Sequence, residues 1–285
     1  MTRFPLAVWF MAALAAAFCA PPGSAAETLK AIRVTGIAGP LVNPDANYWQ
    51  RAKAVKVAMQ PQIIAPPQHA EPAVTQLSVK AAHNGQWFAF LIEWSDKSQS
   101  DTIVVDRFGD QVAVQLPVKF DKTSLPSPMM GNPDGGRVTI LQWRAAFQRD
   151  IEKGEPSVRD LYPYAYVDVY PDQVLRATDA RPYMGAIGVD NPISHPTRTP
   201  VLEQMAEGFG TLTTQLDSHA EGKGVWRNGR WRVVISHPLA TESASDPRLT
   251  AGTETAAAFA VWEGGNREVG SRKAWSDWTP VILDR

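Results

Sequence analysis

Apolar and polar positions alternate with period two in several stretches of this chain, and helical periodicity is confined to short segments. Two β-type runs, residues 74–81 and 86–94, flank His83-Asn84-Gly85. Asn-Gly between such runs predicts a hairpin, because both central residues of a type I′ turn need positive φ. The second arm, Trp87-Phe-Ala-Phe-Leu-Ile-Glu-Trp94, is apolar on both faces, which predicts a central strand covered on both sides. A second hairpin is predicted over residues 225–235, turning at Asn228-Gly229 between Trp226 and Trp231.

Further strands are predicted at residues 29–34, 112–116, 138–143, 255–262 and 280–283, with a strand or edge segment at 49–59. In the 255–262 run Ala256, Ala258 and Ala260 share one face, which leaves space for something bulky to lie against it. Residues 145–153 are predicted to form a short helix stopped by Gly154. Thr199-Pro200 opens another that ends by Gly208-Phe209-Gly210, since proline suits the first helical position. Residues 158–198 carry little periodicity and are expected to be ordered loops. The fold class is all-β: a mainly antiparallel β-sandwich with long loops and a few short helices.

The first 26 residues stand outside that fold. Arg3 precedes an apolar run from Phe4 to Ala20, Pro21-Pro22-Gly23 breaks it, and Ser24-Ala25-Ala26 offers small residues for cleavage. This is the pattern of a secretory signal peptide, with an apolar run shorter than the ~20 residues a membrane span requires. The expectation is export to the periplasm, no membrane span after cleavage, and one domain over residues 27–285. The one cysteine, Cys19, lies inside the signal, and bulky Phe18 argues against a lipoprotein site there. The mature chain therefore has no disulfide, thiolate metal site or Cys-x-x-Cys-His haem attachment. Basic and acidic residues number 28 and 29 over the whole chain, so nothing in the bulk charge suggests nucleic-acid binding.

Most enzyme signatures are missing. No Gly-x-Ser-x-Gly elbow, phosphate-binding Gly-rich loop or His-Glu-x-x-His pattern occurs. His69, His83, His195, His219 and His237 show no site spacing, and surface or loop-structural roles are expected for them. Asp96, Asp101, Asp106 and Asp110 read as a solvated acidic loop without the spacing of an EF-hand. Two segments remain. Pro126-Ser-Pro-Met-Met-Gly-Asn-Pro133 presents Met129 and Met130 in a proline-fenced loop, and Gly270-Ser-Arg-Lys-Ala-Trp275 presents Lys273 among tryptophans. By residue type alone, core filling is the first reading for the methionines and a solvated charge for the lysine. Desolvation of Lys273 would favour its neutral amine, the form with a lone pair for a metal.

These segments resemble the haem b-binding γ subunits of periplasmic molybdoenzymes of the type II dimethyl sulfoxide reductase family. Ethylbenzene dehydrogenase, dimethyl sulfide dehydrogenase, chlorate reductase and selenate reductase are the relevant complexes. The resemblance is carried by residues 87–96, Pro128-Met-Met-Gly-Asn132 followed by residues 138–145, residues 206–213, residues 224–234 and residues 270–278. The family tends to carry a basic residue after the second hairpin strand, where this chain has His237. The resemblance implies a β-sandwich holding haem b non-covalently, with Met130 (or Met129) and Lys273 as axial iron ligands. Arg137, Arg144 and Arg272 are then candidates for haem propionate contacts. It also implies a non-catalytic electron-transfer subunit. Its partners would be a molybdenum-cofactor catalytic subunit, an iron–sulfur subunit and an external carrier such as a periplasmic c-type cytochrome. The competing reading is a secreted carbohydrate- or ligand-binding sandwich without haem.

Overall fold

A computed structural model describes residues 27–164, 191–193 and 198–285. The proposed leader, His195 and most of the 158–198 stretch lie outside the described residues. Among the described residues, fourteen strands account for most of the regular structure. They are β1 (Leu29–Arg33), β2 (Val55–Ala58), β3 (Gln60–Pro61), β4 (Gln76–His83), β5 (Trp87–Ser95), β6 (Gln111–Pro117) and β7 (Val138–Arg144). There follow β8 (Val201–Ala206), β9 (Thr213–Thr214), β10 (Glu221–Trp226), β11 (Arg230–Pro238), β12 (Glu254–Trp262), β13 (Ala274–Trp275) and β14 (Thr279–Leu283). Two short helices, α1 (Ala145–Lys153) and α2 (Val158–Leu161), follow β7.

The strands run in the order β10-β11-β5-β4-β1-β14-β12-β6-β7-β8-β9, and β12 joins two sheets. Its first half, from Glu254 to Ala257, pairs with β14, and its second half, from Ala258 to Trp262, pairs with β6. The pairing is antiparallel except around β1, which is parallel to both β14 and β4. Both hairpins form: Asn228 and Gly229 take positive φ as expected, and β10 and β11 pair from Glu221↔Ser236 to Trp226↔Trp231, whereas at the β4–β5 turn, paired up to His83↔Phe88, Gly85 takes positive φ and Asn84 does not.

Alternation decides what each sheet buries. Phe88, Phe90, Ile92 and Trp94 of β5 enter the main core with Val112, Val114 and Leu116 of β6 and Ala257, Phe259 and Val261 of β12. Rings meet across the two sheets, Trp143 against Trp231 at 5.0 Å and Phe90 against Phe259 at 5.9 Å, both edge to face. The opposite face of β5, with Ala89 and Leu91, packs under Val34, Leu41, Trp49 and Ala52 of the N-terminal segment. That cover makes β5 apolar on both faces, as its sequence requires.

Two expectations need correction. Residues 201–206 are a strand, not a helix: β8 pairs with β7 from Val138↔Ala206 to Trp143↔Val201. Buried polar Glu203 and Gln204 sit side by side and obscure the alternation, and the pairing partner outweighs the local proline signal. Residues 47–50 form a 3-10 turn that buries Trp49, so the strand in that segment is only Val55–Ala58. The sheets are mainly antiparallel, as expected; the exception is Leu29–Arg33, which inserts between β4 and β14 in parallel with both. No helix among the described residues is long and apolar enough to cross a membrane.

Candidate cofactor cavity

The second sheet turns its other face toward a cavity of about 600 Å³. Period-two alternation supplies its floor. Gln111, Ala113 and Gln115 come from β6, Ile140, Gln142 and Arg144 from β7, Gln204 from β8, and Ala258, Ala260 and Trp262 from β12. The alanines predicted to leave room are Ala256, Ala258 and Ala260, and the last two form part of this floor. A volume of this size lies in the range of small-molecule and cofactor pockets, and its lining is mostly apolar.

Two loops wall the cavity. The first, between β6 and β7, carries Met129 and Met130. Met130 takes φ +66°, a left-handed conformation that costs a non-glycine residue about 1 kcal/mol. The backbone there is fixed on both sides. The Met130 N–H donates to Gln115 Oε1 at 3.1 Å, and its carbonyl accepts from Gly208 N–H at 2.7 Å. Gly131 N–H closes the turn onto Ser127 O at 3.0 Å, and Asn132 Oδ1 accepts from Ser127 N–H. Sheet, loop and side chain thus over-determine the position of Met130.

The second loop carries Lys273 directly before β13. Trp275 pairs with Ala260 and Ala274 with Val261, so Ala274 enters the core while Lys273 and Trp275 face the cavity. Side chains hold this loop from behind. Trp262 Nε1 donates to Gly270 O at 2.9 Å, Gln62 Nε2 to Ser271 O at 3.1 Å, and Trp275 Nε1 to Pro61 O at 3.1 Å. Trp278 Nε1 reaches Pro126 O at 2.7 Å and ties the lysine segment to the start of the methionine loop. The Lys273 ammonium sits 5.2 Å from the Trp262 ring and has no carboxylate partner among the described residues. Burial lowers its pKa to about 8, so a large fraction is the neutral amine in mildly alkaline solution.

The three arginines separate. Arg144 lines the cavity with its guanidinium 5.0 Å over Phe147 and one N–H on Gln142 Oε1 at 3.0 Å. Its Nε is buried without a partner among the described residues, and burial lowers its pKa to about 10. Arg137 does not line the cavity; its Nε donates to Glu207 at 2.8 Å. Arg272 stacks 5.9 Å over Phe108, a wall residue.

A family profile described as ethylbenzene dehydrogenase matches residues 46–181 and 195–274, well over half of the chain. The chain belongs to the ethylbenzene dehydrogenase family. The family match includes both the methionine loop and Lys273. Among relatives, a Haloferax mediterranei protein named as a respiratory nitrate reductase heme subunit is 24% identical over 82% of this chain. The chain spans 66% of that protein, just under two thirds of its length. The chlorate reductase subunit gamma of Ideonella dechloratans is 24% identical over 92% of this chain and 88% of its own. Among solved structures, a family 9 carbohydrate-binding module of Caldicellulosiruptor kristjanssonii in complex with glucose aligns at TM-score 0.39. It is 11% identical, with 91% of this chain and 97% of the module covered.

For this member of the ethylbenzene dehydrogenase family, two sequence expectations about polar residues fail. Asp96 and Asp110 do not sit in a solvated loop: both are buried, and they meet Glu263 at the ends of β5, β6 and β12. Asp110 accepts from Gly264 N–H, Ser100 N–H and Trp231 Nε1, which pins three segments together. No lysine or arginine pairs with the three carboxylates among the described residues. Burial first, and then the Asp96 charge, push the Asp110 pKa up to about 7. The folded state therefore holds a proton that the unfolded chain releases near pH 4, and stability falls as pH rises across that window. Asp96→Asn removes the like charge. It is expected to flatten this slope and to stabilise the protein by about 1 kcal/mol at pH 8, with little effect at pH 5. Urea melts at both pH values check this; an equal loss at both would refute it.

The histidines are the other miss. His69 Nε2 pairs with buried Glu268 at 2.9 Å behind the lysine loop, and His83 is fully buried at the end of β4. His237 is also fully buried, on β11. Neither the turn position of His83 nor the proline after His237 signals this, because burial depends on which loops fold back over the strand ends.

Proposed function

We propose that this chain is the haem b-binding, non-catalytic electron-transfer subunit of a periplasmic molybdoenzyme. The observation that carries the reading is the meeting of a thioether loop and a pKa-depressed lysine in one largely apolar cavity. The names of the two relatives, a heme subunit and a reductase gamma subunit, support it. The residues present fit the group. A sheet face lined by Ala113, Ala258 and Ala260 offers room for a macrocycle, and the Nε of half-buried Arg144, unpartnered among the described residues, suits a propionate carboxylate. With Cys19 assigned to the leader, attachment is non-covalent.

On this reading Met130 and Lys273 are the axial iron ligands, with Met129 the substitute for Met130. Met130 is preferred because its backbone is clamped on both sides. Arg144 is the leading propionate contact. Arg272, stacked on Phe108 but not itself lining the cavity, would have to turn inward, and Arg137 would have to leave Glu207. A bound haem supplies one-electron exchange. A thioether ligand favours the reduced iron and raises the potential, and the surrounding apolar wall excludes water. Residues 1–26 direct export, and residues 27–285 form the haem domain. Electrons pass between the iron–sulfur subunit, adjoining the molybdenum-cofactor subunit, and a carrier such as a c-type cytochrome.

Periplasmic expression of the full chain with haem supplied should yield a protein with a low-spin visible spectrum and acid-extractable haem. Absence of a Soret band would sink the reading. Co-purification of molybdenum and iron–sulfur subunits from the native host tests the partnership separately.

A further inference from the structure

Away from the cavity, four side chains converge between the ends of the two sheets. Glu203 comes from β8, His219 from the connection between β9 and β10, His237 from β11, and Asp246 from the connection between β11 and β12. Gln204 faces the cavity, so its neighbour Glu203 points the other way, into the inter-sheet space. We propose that Glu203, His219, His237 and Asp246 form a binding site for one divalent transition-metal ion of the Zn²⁺ class, which bridges the two sheets.

The distances argue for a shared ion. His237 Nε2 lies 3.5 Å from Glu203 Oε1 and 3.6 Å from Asp246 Oδ2. His219 Nδ1 lies 3.8 Å from Glu203 Oε1 and 3.7 Å from Asp246 Oδ2. All four separations exceed a hydrogen bond. They are close to the spacing of about 3.4 Å between ligand atoms on a tetrahedron around zinc, given metal–ligand bonds of about 2.1 Å. Each separation would contract by a few tenths of an ångström or less. His219 belongs to a connecting segment and its side chain is 40% exposed, which leaves it free to adjust and gives an ion a route in.

The hydrogen-bond inventory points the same way. His237 Nε2, His219 Nδ1 and Glu203 Oε1 are buried atoms without hydrogen-bond partners among the described residues, a costly arrangement unless something satisfies them. His237 Nδ1 lies 2.7 Å from the Pro238 carbonyl. That contact puts a proton on Nδ1 and leaves Nε2 as the ring nitrogen that faces the carboxylates, the arrangement of a metal-ligating histidine once Nε2 gives up its proton to the ion. The remaining carboxylate oxygens are already held. Glu203 Oε2 accepts from His219 and Ala220 N–H at 2.7 and 3.0 Å, and Asp246 Oδ1 accepts from Gln215 Nε2 at 3.0 Å, while Thr241 Oγ1 donates at 2.6 Å to Oδ2, the oxygen offered to the ion. These contacts form the oriented outer shell that such sites have.

Charge favours a dication as well. Glu203 and Asp246 are two buried carboxylates, and one dication balances two negative charges. Mixed imidazole and carboxylate ligands suit zinc better than the thiolate-seeking or all-oxygen metals.

The test uses the full chain with whatever cofactor it carries, stripped with a chelator and titrated with ZnCl₂. Metal analysis should find one zinc per chain, and the melting midpoint should rise on adding zinc. His219→Ala, at the partly exposed ligand, should fold normally, leave any visible spectrum unchanged, and weaken zinc binding by about a hundredfold. Glu203→Gln should abolish it. Lack of stoichiometric zinc in the wild type, or equal binding by the wild type and His219→Ala, would overturn the site. Neither outcome depends on whether the protein binds haem.

Discussion

Lys273→Ala is expected to separate haem binding from folding, with effects of opposite sign on the two. In the apoprotein the lysine is a liability. Its amine faces a largely apolar cavity, no carboxylate among the described residues compensates it, and burial lowers its pKa to about 8. A lysine with a depressed folded pKa destabilises the fold below that pKa, and stability recovers as pH rises from about 8 toward the ordinary lysine value. At pH 7 the alanine variant should therefore be at least as stable as the wild-type apoprotein, and more stable by about 1 kcal/mol after discounting for partial exposure. The side chain lines an existing cavity, so its removal opens no new closed void.

Haem binding should move the other way. If Lys273 supplies an axial ligand, its loss should convert the low-spin spectrum to a high-spin one and weaken haem retention at least about tenfold. Met130→Ala should give a comparable spectral change, and Met129→Ala should give none if Met130 is the ligand. A solvated surface lysine would show neither the stability gain nor the spectral change. Denaturant melts of the apoprotein together with visible spectra of the reconstituted variants separate the two cases. An unchanged spectrum in both Lys273→Ala and Met130→Ala would remove the ligand assignment while leaving the cavity to be explained.

How much of this was legible in the chain depended on range. The two Asn-Gly hairpins, the doubly covered β5, the alanine face of β12 and the α1 stop at Gly154 are local patterns, and the structure contains all of them. The failures involve partners far apart in sequence. Glu203 and Gln204 are adjacent but face different compartments, which no short window reveals. Asp96, Asp110 and Glu263 meet only because β5, β6 and β12 end at one corner. His237 reads as a residue before proline, yet Glu203 and Asp246 close over it. The cavity stands between these extremes. Its floor was foreshadowed by small residues, but only the sheet order β12-β6-β7-β8 brings the methionine and lysine loops to the same face.

The stiffness of the methionine loop gives the second large effect: Gly131→Ala should destabilise the protein by about 3 kcal/mol and abolish cofactor retention. Gly131 takes φ +73°, and an added Cβ would lie 2.3 Å from the Gly136 carbonyl oxygen and 3.2 Å from that of Ala206. Both obstacles are backbone. The first belongs to the bridge between Asn132 and Gly136 and the second to the end of β8, so neither can yield like the tip of a flexible side chain. Gly135 in the same loop is the control. Its φ is +93°, but an added Cβ there would meet nothing within 4 Å, so Gly135→Ala encounters backbone strain alone, about 1 kcal/mol. The difference between the variants isolates the close approach. In Gly131→Ala relief requires the turn to open, which breaks the Met130 contacts to Gln115 and Gly208 that aim its side chain at the cavity. Melts and haem content of both variants test this; a Gly131→Ala protein that retained haem and melted with Gly135→Ala would mean that this packing does not position Met130.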